Sequence, residues 1–191
     1  MTDVIDDLLG IRPGSPLDAI RARRPETRAQ AQASYDALFR PADPGGVTAA
    51  ERFAVATFVA ALHGATEVAG HYRAALAPAL AEAVDAAVAA ATGTGPYGRY
   101  PTGPLTAEDQ PGASWAPAGA LAAALGPRLA AALGHMHLLV LHPRDGAPPA
   151  LQALLDAGWT TTDIVTLSQI ASFVAFQLRA VAGLRALATR L

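Results

Sequence analysis

Five histidines carry most of the chemistry that this chain could perform. His63 and His71 stand eight residues apart, with Glu67 between them and Tyr72 directly after. A histidine there suits a general base, because its ordinary pKa lies near neutrality. The plainer alternative for both is a hydrogen-bonded or helix-capping imidazole at an interface, and for Tyr72 it is packing. Glu67 fits a helix start, where a carboxylate meets the positive end of the dipole. His135-Met-His137 and His142 invite a metal reading. Residues two apart on a helix point about 200° away from each other, so that pair cannot chelate from one face. No metal and no other cofactor is expected. In His142-Pro-Arg-Asp145, Arg144 is a candidate carboxylate clamp; alternatively Asp145 fixes the turn and pairs with Arg144.

What is missing narrows the chemistry further. The chain has no cysteine, and all fourteen basic residues are arginine. Disulfides, zinc–thiolate sites, iron–sulfur clusters and thiol peroxidase chemistry are therefore excluded. Imine formation on a lysine is excluded too. A net charge of −2 supplies no basic field, and 6% aromatic residues make no base-stacking platform, so a nucleic-acid partner is not expected. Gly93-Thr-Gly-Pro-Tyr-Gly98 is rich in glycine but lacks the lysine and the preceding strand of a phosphate loop.

The elements that must hold these residues read as helices throughout. Thr48-Ala-Ala-Glu51 has the form of a capping box, followed by Val55, Phe58, Val59 and Leu62 at helical spacing. Gly64 ends that helix, and a second starts near Thr66. Pro78 bends or stops it, and an alanine-rich helix continues to about residue 91. Residues 92–117 form a long Gly- and Pro-rich excursion, a lid or a surface loop. A helix over about 118–141 is interrupted at Gly126-Pro127, and a short one covers 150–157. The firmest helix begins at Thr160-Thr-Thr-Asp163 and runs through Ile164, Leu167, Ala171, Val174, Leu178 and Val181. Phe173 and Phe176 give it a second apolar face, which places it in the core or between subunits. Ser168, Gln169 and Ser172 lie within it and need partners if buried.

Residues 1–45 read as an arm of short helices, joined through Pro41–Gly46 to a core over 46–191, the whole forming one domain. With 52% hydrophobic and 16% charged residues, burial against partner subunits is expected. The acidic start (Asp3, Asp6, Asp7) is unlike a signal peptide. The apolar stretch 129–141 is too short to span a membrane. A cytoplasmic protein without a membrane partner is the expectation.

Two segments carry a family resemblance. Residues 51–72, Glu-Arg-Phe-Ala-Val-Ala-Thr-Phe-Val-Ala-Ala-Leu-His-Gly-Ala-Thr-Glu-Val-Ala-Gly-His-Tyr, resemble the active-site helix pair of the alkylhydroperoxidase D and carboxymuconolactone decarboxylase superfamily. Residues 154–167 and their continuation to Leu184 resemble a cysteine-free branch of the same superfamily. Together the segments cover about a third of the chain. The resemblance implies an all-α, alkylhydroperoxidase D-like helical bundle that assembles into dimers, trimers or hexamers.

Carried over onto this chain, the two cysteine positions fall on Ala65 and Val68, the glutamate position on Phe53, and the proton-relaying histidine on Tyr72. Only the first histidine of the pair remains, as His71. Glu51 lies two residues before Phe53, about 200° around the helix, and cannot replace it. The resemblance thus implies a non-peroxidase relative, either a small-molecule binder or an oligomeric partner of a thiol-bearing paralogue. Its alternative is a decarboxylase- or isomerase-like enzyme acting on a small carboxylate with a His base, His63 or His71, and an Arg clamp.

Overall fold

The computed structural model describes residues 3–191. Ten α-helices follow one another: α1 (Val4–Leu9), α2 (Pro16–Ala22), α3 (Pro25–Phe39), α4 (Ala49–Leu62), α5 (Thr66–Arg73), α6 (Pro78–Ala91), α7 (Gly119–Leu125), α8 (Pro127–Leu141), α9 (Pro148–Asp156) and α10 (Thr161–Ala188). The protein is all-helical; among the described residues there is no strand, and one isolated bridge joins Gly98 to Gln110. Helix starts follow the sequence signals. Both reciprocal capping boxes form, Thr48 with Glu51 and Thr160 with Asp163. Proline occupies the first turn of α2, α3, α6, α8 and α9, where its missing N–H costs nothing.

α4 is the axis of the bundle. Alanines at 54, 56 and 60, with Val55, Phe58 and Val59, are all completely buried, and α5, α6, α8 and α10 pack around them. Small side chains on every face let four neighbours approach closely. α10 is the other long contact element, touching α1, α3, α4, α8 and α9. At about 1.5 Å per residue it is about 42 Å long. It is also the one helix among the described residues long and apolar enough, by length and composition, to cross a membrane. The interruption at Gly126-Pro127 is a sharp corner: the path bends by 111° from α7 to α8.

Residues 3–40 are latched to the body. Val4, Ile5, Tyr35 and Phe39 are buried in the shared core. Arg21, itself buried, pairs with Asp3 at 2.7 Å and with Asp6; Arg28 pairs with Asp6 and, at 2.8 Å, with Asp18. The Pro/Gly-rich segment before α4 is fastened as well. Buried Arg52 donates to three carbonyls, Val47 at 2.9 Å, Leu38 at 2.7 Å and Pro44 at 2.8 Å. Arg128 donates to the carbonyls of Gly46 and Gly158 and to Glu51, its guanidinium 3.8 Å above the Trp159 ring. Gly46 is required by close approach, since a Cβ there would stand 2.4 Å from Asp163 Oδ1.

Candidate functional site

The α4–α5 turn, which the sequence marks with Gly64, is tight. Gly64 adopts a left-handed φ of +72°, open to glycine without strain. The N–H of Ala65 returns to the Ala60 carbonyl at 3.1 Å. Ala65 is thereby the N-cap of α5, and Val68 lies buried in its first turn. Both sit at the positively polarised helix start. Neither side chain can react.

Two hollows meet at this turn. One, of about 640 Å³, is lined by residues 63–68 and by the α10 residues Leu178, Arg179, Val181, Ala182 and Arg185. The other, of about 730 Å³, lies between the end of α4, the end of α8, residues 93–96, and Ala171, Ser172, Ala175 and Arg179 of α10. His63 and Arg179 belong to both, so the hollows form one groove with these two side chains at its waist. The outer wall is pinned: Tyr97 N–H donates to the Leu141 carbonyl at 2.6 Å, and Thr94 N–H to the Tyr97 hydroxyl at 3.1 Å.

The electrostatics of the waist are lopsided. Arg179 donates once, to the Ala175 carbonyl of its own helix at 2.7 Å. Among the described residues no carboxylate lies within ion-pair distance of it. Arg185, one helical turn and a half further along, is closed by Glu67 at 2.6 Å. The His63 ring is held below its ordinary pKa, first by desolvation against the groove wall and then by the Arg179 charge. At neutral pH it is an uncharged imidazole beside an uncompensated guanidinium. Such a pair can receive a small organic anion, the carboxylate on the arginine fork and a neighbouring polar group on the imidazole.

The other sequence candidates are dispersed. His71 lies half-buried, its Nε2 3.0 Å from the Tyr35 hydroxyl, with burial lowering its pKa. Tyr72 is fully buried and donates to Gln177 Oε1 at 2.6 Å; burial drives its phenol pKa strongly upward. Phe53 packs with Phe39 and Tyr72 in an aromatic cluster that also holds Tyr35 and Phe173. Thus Ala65, Val68 and His63 face the groove, while Phe53, His71 and Tyr72 belong to the cluster. Arg144 is in neither, its guanidinium lying 4.2 Å over the Tyr100 ring.

The second histidine group holds the 92–117 excursion down. His142 places Nδ1 3.1 Å from Asp145 and Nε2 3.0 Å from the Ala113 carbonyl. His137 lies against Trp115 and His142, and Trp115 stacks on Phe58. His135 is buried with neither ring nitrogen partnered. Among the described residues no three His, Asp or Glu side chains gather in a way that could hold a metal ion.

Sequence reasoning missed Arg179. Its one signal was positional: it is the first charge after fifteen uncharged residues, Ile164 to Leu178. Ser172, which would need a partner if buried, is exposed and lines the groove. In comparison with known proteins, the chain matches no family model, no curated protein and no solved structure.

Proposed function

We propose that this protein is a non-peroxidase relative on an alkylhydroperoxidase D-like scaffold, and that it binds a small organic carboxylate in the groove between the α4–α5 turn and α10. The observation that carries the reading is the waist: neutral His63 beside Arg179, whose fork faces no acidic partner. A helix pair with a tight turn at residues 63–65, and hydrocarbon where the family's thiols stand, are in keeping with it. The clamp is then Arg179, and Arg144 has no part. A cytoplasmic homo-oligomer, alone or with a thiol-bearing paralogue, is part of the same proposal.

Titration calorimetry with a panel of small mono- and dicarboxylates tests it. At least one should bind, Arg179→Ala should lose it, and His63→Ala should weaken it several-fold. If no member of the panel binds, or if Arg179→Ala binds unchanged, the reading fails. Hydrogen peroxide and organic hydroperoxides should not be consumed above buffer.

A second reading, a decarboxylase- or isomerase-like enzyme, is favoured by the same lowered pKa of His63, which keeps it competent as a base. Its test is deuterium exchange of the proton α to the bound carboxylate, followed by NMR in D2O. Exchange that His63→Ala abolishes supports the enzyme; binding without exchange supports the binder.

A further inference from the structure

α10 is a ridge with furrows on both flanks. The groove with His63 and Arg179 lies along one side. Along the other, α3 runs antiparallel to it and leaves two more hollows. One, of about 680 Å³, is bounded by Ser34, Leu38, Leu151, Val165, Ser168 and Phe173 among others, and no charged residue lines it. The next, of about 690 Å³, has a floor of Ile5, Ala31, Ala180 and Leu184. Phe176 occupies the α10 position between the two and is 45% exposed.

The crest of the ridge is unlike a solvated helix face. From Ile164 to Leu178 there is no charge, yet Val165, Gln169, Ser172 and Phe176 all face outward. Their spacings of four, three and four make one straight stripe. A face meant for water carries charged side chains. Of six large apolar side chains left exposed among the described residues, Leu151, Leu155, Val165 and Phe176 lie on α9 and α10. Exposed apolar surface is therefore concentrated on one side of the molecule, which marks a contact surface.

We propose that this stripe is the two-fold interface of a homodimer, in which two copies of α10 cross antiparallel at Ser172 and Phe176 of each enters the uncharged groove of the other. An isologous contact needs a projection and a recess at equal distances from one point. This helix has them. With the axis at Ser172, position 172 + n of one copy faces 172 − n of its mate. Phe176 then meets Ser168, a small residue on the wall of the uncharged groove. Ser172 is small enough for close approach at the crossing, and Gln169 supplies amides that can bond across it. Arg179 meets Val165, and the two Arg179 side chains start about 21 Å apart along the helix axis, so like charges do not oppose each other. A standard interface buries about 800 Å² per partner. A contact of that size needs more than one helix, and Leu151 and Leu155 of α9 extend the exposed apolar face beside α10.

The absence of cysteine gives a direct test. Ser172→Cys introduces the only thiol in the chain, and at a two-fold axis it should cross-link to a covalent dimer on mild oxidation or with a short bismaleimide. Ala29→Cys, on the exposed face of α3, should not. By light scattering, the wild-type protein should have twice the 19.5 kDa chain mass. Phe176→Glu and Val165→Arg, which sets a like charge against Arg179 of the mate, should each give monomers with unchanged helical circular dichroism. A monomeric wild type at high micromolar concentration would overturn the proposal. So would a dimer that survives both substitutions, or a chain that leaves solution for lipid vesicles. The readouts are mass and cross-linking, neither of which requires a bound carboxylate.

Discussion

Arg52, in the first turn of α4, and Arg179, beside the end of that helix, do opposite things with the same side chain. The guanidinium of Arg52 is buried and filled: each of its three nitrogens meets a carbonyl, and the segment before α4 is shaped around it. The guanidinium of Arg179 is exposed and open, with one bond to its own helix. Arg21, Arg28 and Arg128 resemble Arg52. In a chain whose only fixed cations are arginines, the filled forks hold the fold together, and an open fork that stands in a groove, as that of Arg179 does, marks where a ligand would go. Residue type is the same in both; the difference lies in which acceptors the tertiary structure brings near.

Breaking the filled side should have the largest effect. Arg52→Ala strips three carbonyls of their donor and should cost about 3 kcal/mol or more of stability in urea denaturation. A cost below about 1 kcal/mol would mean that water replaces the guanidinium freely, and the contrast with Arg179 would collapse.

Next in size is Tyr72→Phe. It removes a buried hydroxyl and leaves the Gln177 side chain, whose Nε2 is already unpartnered, without any hydrogen bond. About 1–2 kcal/mol is expected, by the same denaturation.

A smaller, pH-dependent effect belongs to His135. Burial without a partner holds its folded pKa below the ordinary 6.5. The unfolded chain therefore takes up the proton first, and stability is lost as pH falls through about 6.5 toward the folded value, below which the loss levels off. His135→Leu should flatten part of the wild-type decline between pH 7.5 and pH 5.5. His63, His71 and His137, lowered in the same direction, keep the rest. Equal slopes in variant and wild type would show that His135 finds a partner.

The smallest stability effect is expected at the open fork. Arg179→Ala should shift unfolding by less than about 0.5 kcal/mol while removing the thermal stabilisation that a bound carboxylate confers. A large loss of stability would instead assign Arg179 to the filled class.

The helices were largely legible in the sequence because their signals are local. Thr48 with Glu51, Thr160 with Asp163, and the apolar spacing from Ile164 onward each need only a few neighbouring residues to be understood. Composition misled at residues 41–46, where prolines and glycines read as a free linker. What fixes that segment is Arg52 from the next helix and Arg128 from some eighty residues on. The 111° corner at Gly126-Pro127 showed as an interruption, but its angle follows from packing. The groove was invisible for the same reason. His63 and Arg179 are more than a hundred residues apart, as are Tyr72 and Gln177, and no local period joins them.

The position of α10 in the chain bears on synthesis. Its contacts reach back to α1, α3, α4, α8 and α9, so the face on which these helices converge stays bare until the final long helix has emerged. Until α10 is made, the nascent chain holds a set of short, alanine-rich segments with an unfinished core. Folding should then come late and all at once, and a chain stalled before Thr160 should be a substrate for chaperones or proteases.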